Sequence, residues 1–402
     1  MKDLSFEQSN NETGAFNNAL WLTFALLAVA AIYAYYFIAQ GGRDYISPDG
    51  VQYLSLARGE SANAPYNTRI LKPRLAALIS SVSGLSHQSA FQLLTPIELF
   101  SSLILLARLV KRYGGSTALQ CAIVLTFGYG LSAVFGRTPV LVDTTLLFLT
   151  CLFLAALEVD LFVAALACAC LAVLTKEYGA LLAAVWAIEA VRRRRVIFAA
   201  VGVALLGAVF IVNKQMISGT VSGDFFTMLV GAMRYTAGVL SGANGYKAAY
   251  FWLWAALWPL VLVASLSVVA NLVRHGKIGP RHWAFVIALP FVPLLLTGDW
   301  DRSLMIVVPF ACMVAASHQL ATDYTFLLLV TSGGLATALA RPAATPIPAG
   351  LRIALMTASL LSTLGLVLMV AGYCLRQIKI TGIVSSPEEK LNESLIDSAG
   401  KK

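Results

Sequence analysis

The sequence predicts an all-α, polytopic membrane protein of about twelve transmembrane helices, some short or re-entrant, with interfacial helices in its first extracytoplasmic loop. Three observations lead there. Of 402 residues, 58% are hydrophobic and 12% charged, against about 25% charged in an average soluble domain. Mean hydropathy is +0.77, and the apolar runs lack the two-residue alternation of barrel strands. Lysines and arginines gather at the ends of those runs, so the net charge of +9 reads as a topology signal and not as a nucleic-acid surface.

Taken in order, residues 1–18 form a polar, Asn-rich tail expected to be disordered. Spans are expected near 19–39, 88–110, 117–135, 139–157, 161–175, 178–191, 196–213, 250–273, 283–297, 303–321, 325–341 and 351–373. Residues 19–373 thus make one transmembrane domain, with an extracytoplasmic loop at 40–87 and a cytoplasmic tail at 374–402. The six cysteines lie in or beside apolar runs, away from any long polar loop, and imply packing in place of a disulfide framework.

The segment 161–191 decides the topology. Its two apolar runs flank Lys176 and Glu177 and are short for two crossings but too long for one. With two crossings, Lys111 and Arg112, the four-arginine run 192–195, Arg274 with Lys277, and Arg376 with Lys379 share one side. With one crossing the arginine run moves away from Lys111. Lysine and arginine bias in short loops sets orientation, so two crossings and a cytoplasmic amino terminus follow. Loop 40–87, Arg137, Asp143, Lys176 and Asp299 then lie outside, in an integral inner (plasma) membrane.

Loop 43–74 is the longest polar stretch between the first two apolar runs, and it breaks the positive-inside pattern with five outward bases. Ser47, Pro48 and Asp49 read as a helix start, with a serine cap, a proline at the first position and an acid in the first turn. Gly59 ends that helix, which carries Asp49, Tyr53 and Ala57 on one face. An acid there is stabilised by the helix dipole, by about 0.5 kcal/mol. It equally suits a general base held at the membrane surface. Residues 70–82, bearing Lys72 and Arg74, read as a second interfacial helix.

The loop pattern Asp49, Gly50, Tyr53, Leu54, Pro65, Tyr66, Arg69, Leu71, Pro73 resembles the C superfamily of membrane glycosyltransferases. So do the order of first helix, large outer loop and interfacial helices, Asp143 after a proline, the turn Thr175, Lys176, Glu177, and Asp299 with Arg302 before Pro309. The resemblance implies an enzyme that moves a sugar from a polyprenyl-phosphate donor to an extracytoplasmic glycan or lipid acceptor. It places Asp49 or Asp44 as the catalytic base, since these acids are separated here where many members have adjacent ones. Tyr53, Tyr66, Asp143, Glu177 and Asp299 become substrate-binding candidates by the same likeness.

The chemistry has its own requirements. A hydroxyl acceptor needs a carboxylate to take its proton, and a departing phosphate needs fixed cations where water is excluded. Arg69, Lys72, Arg74, Arg137, Lys176 and Arg302 are the cations available. Arg137 and Arg302 also fit as salt-bridged loop ends, and Lys176 as a partner of Glu177. No metal ligand set is assigned and no cofactor is required; Asp299 and Asp301 leave a divalent cation open. The competing class is a multi-pass transporter or lipid-carrier flippase, for which Glu98, beside Pro96 within a span, is the pointer.

Overall fold

A computed structural model of the chain describes residues 4–39, 41–63, 66–176, 179–217 and 307–316, with scattered positions between 264 and 286 and between 348 and 372. All regular structure among them is helical. In order it comprises α1 (Leu4–Ala34, extended by a π-turn Tyr35–Ala39), α2 (Pro48–Ala57), a 3₁₀ turn (Tyr66–Thr68), α3 (Leu71–Ser83), α4 (His87–Arg112), α5 (Thr117–Arg137), α6 (Asp143–Glu158), α7 (Phe162–Thr175), α8 (Ala180–Arg192), α9 (Val196–Ile217) and α10 (Val308–Ala316). Of the expected spans beyond 250, α10 lies within 303–321, and a few helical positions fall within 250–273, 283–297 and 351–373. The remainder lies outside the described residues.

Among the described residues, three helices are long and apolar enough to cross a membrane, Asn18–Ala39, His87–Arg112 and Thr117–Arg137. α6, α7 and α8 have 16, 14 and 13 residues, and a 14-residue helix reaches only about 21 Å of a core about 30 Å thick. Residues 161–191 nevertheless form two helices. α7 and α8 pack together as a hairpin, and Gly179 at the turn lies where a Cβ would meet the backbone of Ala172 at 2.2 Å. At the amino end α1 begins at Leu4, so its helical backbone takes in residues 4–18. Nucleation is the costly step of helix formation, and an apolar helix already formed propagates through polar residues at little further cost.

The turns show how the helices alternate. At one end, Arg112 Nε donates to Glu158 Oε2 at 3.3 Å and Tyr113 donates to the same carboxylate, joining the α4–α5 turn to the α6–α7 turn. Asp160 in that turn accepts from Arg193 at 2.6 Å and Arg195 at 2.7 Å, adding the α8–α9 turn. At the opposite end, Gln88 and Gln92 of α4 donate to the Arg43 carbonyl at 3.0 and 2.6 Å, and Thr95 donates to the Pro139 carbonyl at 2.6 Å. The basic runs 111–112 and 192–195 therefore share one end of the bundle, and the polar loop lies at the other.

Small residues allow close contacts. Gly128 and Gly136 bring α5 against Val29, Tyr33 and Tyr36, and a Cβ on Gly202 would sit 1.9 Å from the Trp186 ring. That ring is fully buried and its Nε1 donates to the Phe162 carbonyl at 2.9 Å, so it has nowhere to move. Gly202→Ala is expected to cost about 1–3 kcal/mol by overpacking, read as a lower unfolding temperature of the purified protein. An unchanged temperature would mean that α9 does not seat on Trp186.

Candidate functional site

The loop folds into a cap on the end of the bundle. Ser47 Oγ accepts from Gly50 N at 3.1 Å and starts α2 as its sequence foretells, and Gly59 closes it with φ +82°. Tyr53, Leu54 and Ala57 are buried beneath the helix. Asp49, in the first turn, is half-buried and accepts from Tyr66 Oη at 2.8 Å. Arg69, 8% exposed, donates from Nη1 to Tyr53 Oη at 3.0 Å, and its guanidinium lies 5.4 Å from the Tyr66 ring centroid. The two tyrosine rings meet edge to face at 5.5 Å. Asp49, Tyr53, Tyr66 and Arg69 thus form one cluster although 20 positions separate its ends.

Three residues on, the chain turns inward. α3, expected to lie along the interface, buries Lys72, Pro73 and Ala76 of its first turns while Leu78 and Val82 remain exposed. Lys72 is completely buried. Its Nζ reaches Glu98 Oε2 at 2.8 Å, Thr95 Oγ1 at 2.8 Å and Thr144 Oγ1 at 2.7 Å, which uses the three hydrogens of an ammonium. Glu98 also accepts from Thr144 at 2.6 Å and Thr145 at 2.5 Å. Burial lowers the Lys72 pKa, and the Glu98 carboxylate opposes the shift. Pro96 takes no part in the i−4 hydrogen bonding of α4, which leaves the Gln92 carbonyl without that donor beside this cage.

Next to it, Lys176 at the end of α7 donates to Asp143 Oδ1 at 2.7 Å, both side chains almost fully buried. Lys176 therefore pairs across helices with Asp143. The sequence had offered its neighbour Glu177 as partner, and Glu177 lies outside the described residues, as do Asp299 and Arg302. Asp44 is exposed in the turn after α1, where its N–H donates to the Gly41 carbonyl at 3.1 Å. Arg74 is exposed on α3, and Arg137 is exposed at the end of α5 on the loop side. Among the described residues, Asp44 and Arg74 make no hydrogen bond or ion pair with the tyrosine cluster.

Sequence reasoning missed the threonines. Thr95, Glu98 and Ser102 recur at helical spacing inside an apolar run, and Asp143, Thr144 and Thr145 open another. Polar groups stacked on one face of a membrane helix need partners, and that spacing was the available signal. Among the described residues no three His, Cys, Asp or Glu side chains converge as metal ligands. Comparison with known proteins finds no matching family model, no similar curated protein and no similar solved structure.

Proposed function

We propose that this protein is an integral membrane glycosyltransferase that moves a sugar from a polyprenyl-phosphate donor to an extracytoplasmic acceptor, with Asp49 as general base. The observation that carries the reading is the Asp49 cluster: a carboxylate oriented by Tyr66, with a nearly buried arginine beside it, on the end of the bundle away from the two basic runs. As the acceptor oxygen bonds to the anomeric carbon, its proton passes to the Asp49 carboxylate. The bond from that carbon to the phosphate oxygen breaks, and the phosphate departs with the electron pair beside Arg69, Arg74 or Arg137. Lys72 and Lys176 are engaged with Glu98 and Asp143, which suits them to holding α3, α4, α6 and α7 together under the cap.

The direct test is transfer of labelled sugar from an extracted polyprenyl-phosphate donor pool by membranes containing the protein, against membranes lacking it. Equal transfer by both would remove the reading. The outward placement of the site has its own check. In a cysteine-free background, Glu60→Cys is expected to react with an impermeant thiol reagent added to intact cells, and Arg194→Cys is not. The opposite pattern would put the cap in the cytoplasm and exclude a donor presented outside.

A second reading rests on the buried pairs. Ionisable side chains within a membrane bundle mark transport pathways in many proteins, and two lysine–carboxylate pairs are buried among the described residues. A transporter predicts that proteoliposomes accumulate a solute or move a lipid without any glycosyl product, the outcome that separates the two.

A further inference from the structure

The end of the bundle opposite the cap carries a feature the proposed activity does not use. On its three turns and the helix ends beside them, Arg108, Lys111, Arg112 and the run 192–195 face Glu158, Asp160 and Glu189. Seven bases against three acids leave four positive charges uncancelled. The acids are spent unevenly. Glu158 takes Arg112, Glu189 takes Arg192 and Arg193, and Asp160 takes Arg193 and Arg195. Arg108, Lys111 and Arg194 are exposed and make no ion pair among the described residues.

Arg194 is held outward by its neighbours. It adopts φ +57°, and Asp160, which clips the arginines on either side of it, adopts φ +60°. Both occupy the left-handed region that disfavours a side chain, where glycine is the usual occupant. The flanking Arg193 and Arg195 guanidiniums stack on Phe162 at 5.0 and 4.6 Å. Around the turn, Leu161, Val163 and Ile197 are exposed. The result is a strained arginine presented among free bases, with apolar side chains alongside, at the level where a membrane helix ends. We propose that this basic end is a docking surface for anionic phospholipid headgroups, contacted by Arg108, Lys111 and Arg194. Fixed charge at the headgroup level attracts acidic lipid, while the exposed apolar residues suit the adjoining acyl chains. A cation that serves only as a topology signal has no need of a disfavoured backbone conformation, and glycine at 194 would supply the same turn without strain.

The proposal stands apart from the glycosyltransferase reading, and its test does not use activity. The full chain would be reconstituted in phosphatidylcholine vesicles with and without phosphatidylglycerol, extracted in mild detergent, and its retained lipid quantified. Wild type is expected to retain phosphatidylglycerol over phosphatidylcholine, and the variant Arg108→Gln, Lys111→Gln, Arg194→Gln to lose about fivefold of that preference per base removed. Equal retention of both lipids by wild type would overturn the proposal, as would an unchanged preference in the triple variant. Arg194→Gly guards against a variant that fails to fold. It is expected to raise the unfolding temperature in phosphatidylcholine while lowering the phosphatidylglycerol preference. A rise in temperature with the preference intact would overturn the role of Arg194.

Discussion

Asp49→Asn is expected to leave the fold and membrane insertion intact while cutting glycosyl transfer by at least about 100-fold, the scale of a lost general base. Asparagine keeps the side-chain shape, and its amide oxygen can still accept from Tyr66, which now donates to Asp49 Oδ1 at 2.8 Å. The Ser47 cap on Gly50 N is untouched. If Asp49 serves only the helix dipole, the same substitution costs a few tenths of a kcal/mol and no activity. The two roles therefore differ in outcome. The measurement is labelled-sugar transfer at matched expression, with unfolding temperature beside it. Asp44→Asn is the control, because Asp44 is exposed in the preceding turn. Normal transfer by Asp49→Asn with none by Asp44→Asn would move the base by five positions and keep the enzyme reading. Normal transfer by both would end it.

Lys72→Met should be strongly destabilising. It leaves the Glu98 carboxylate buried without its cation, together with the threonine hydroxyls that Lys72 now bonds. Removing one partner of a buried pair costs about 3–5 kcal/mol. Replacing both charges, as Lys72→Met with Glu98→Leu, should recover part of that loss, since an apolar pair carries no desolvation penalty. Thr95 keeps the Pro139 carbonyl as its acceptor, whereas Thr144 and Thr145 lose the carboxylate, so recovery is expected to stop short of wild type by about 1–3 kcal/mol for hydroxyls left unsatisfied. Thermal unfolding of the three purified proteins in one detergent would measure it. A single variant as stable as wild type would show that the lysine does not bridge α3 to α4.

Local chemistry made part of this protein legible from sequence. Ser47, Pro48 and Asp49 start α2, and Gly59 ends it, because caps, proline and left-handed glycine act within a few residues of themselves. The helices α4, α5, α7 and α8 follow from the length and period of their apolar runs, and the two-helix reading of residues 161–191 came from charge balance alone. The burial of Lys72 was not legible in the same way. A lysine on a short amphipathic helix reads as a surface base, and only packing of α3 against α4, itself packed on α6, brings it to Glu98 and Thr144.

The same division holds for the site. Sequence alone determined that this chain carries helices long and apolar enough to cross a membrane, that its basic runs stand at the ends of apolar runs, and which acids and bases stand in the opening loop. It did not determine their partners, because partners are set by which helices meet. Asp49 and Tyr66 are 17 positions apart, Lys176 and Asp143 are 33, and Lys72 and Thr144 are 72. A hydrogen bond tolerates only a few tenths of an ångström, whereas hydropathy and positive-inside bias act at the scale of a whole span. Only the tertiary structure could therefore decide that Lys176 answers Asp143, that Lys72 points into the bundle, and that Arg69 lies over Tyr66 beside the candidate base.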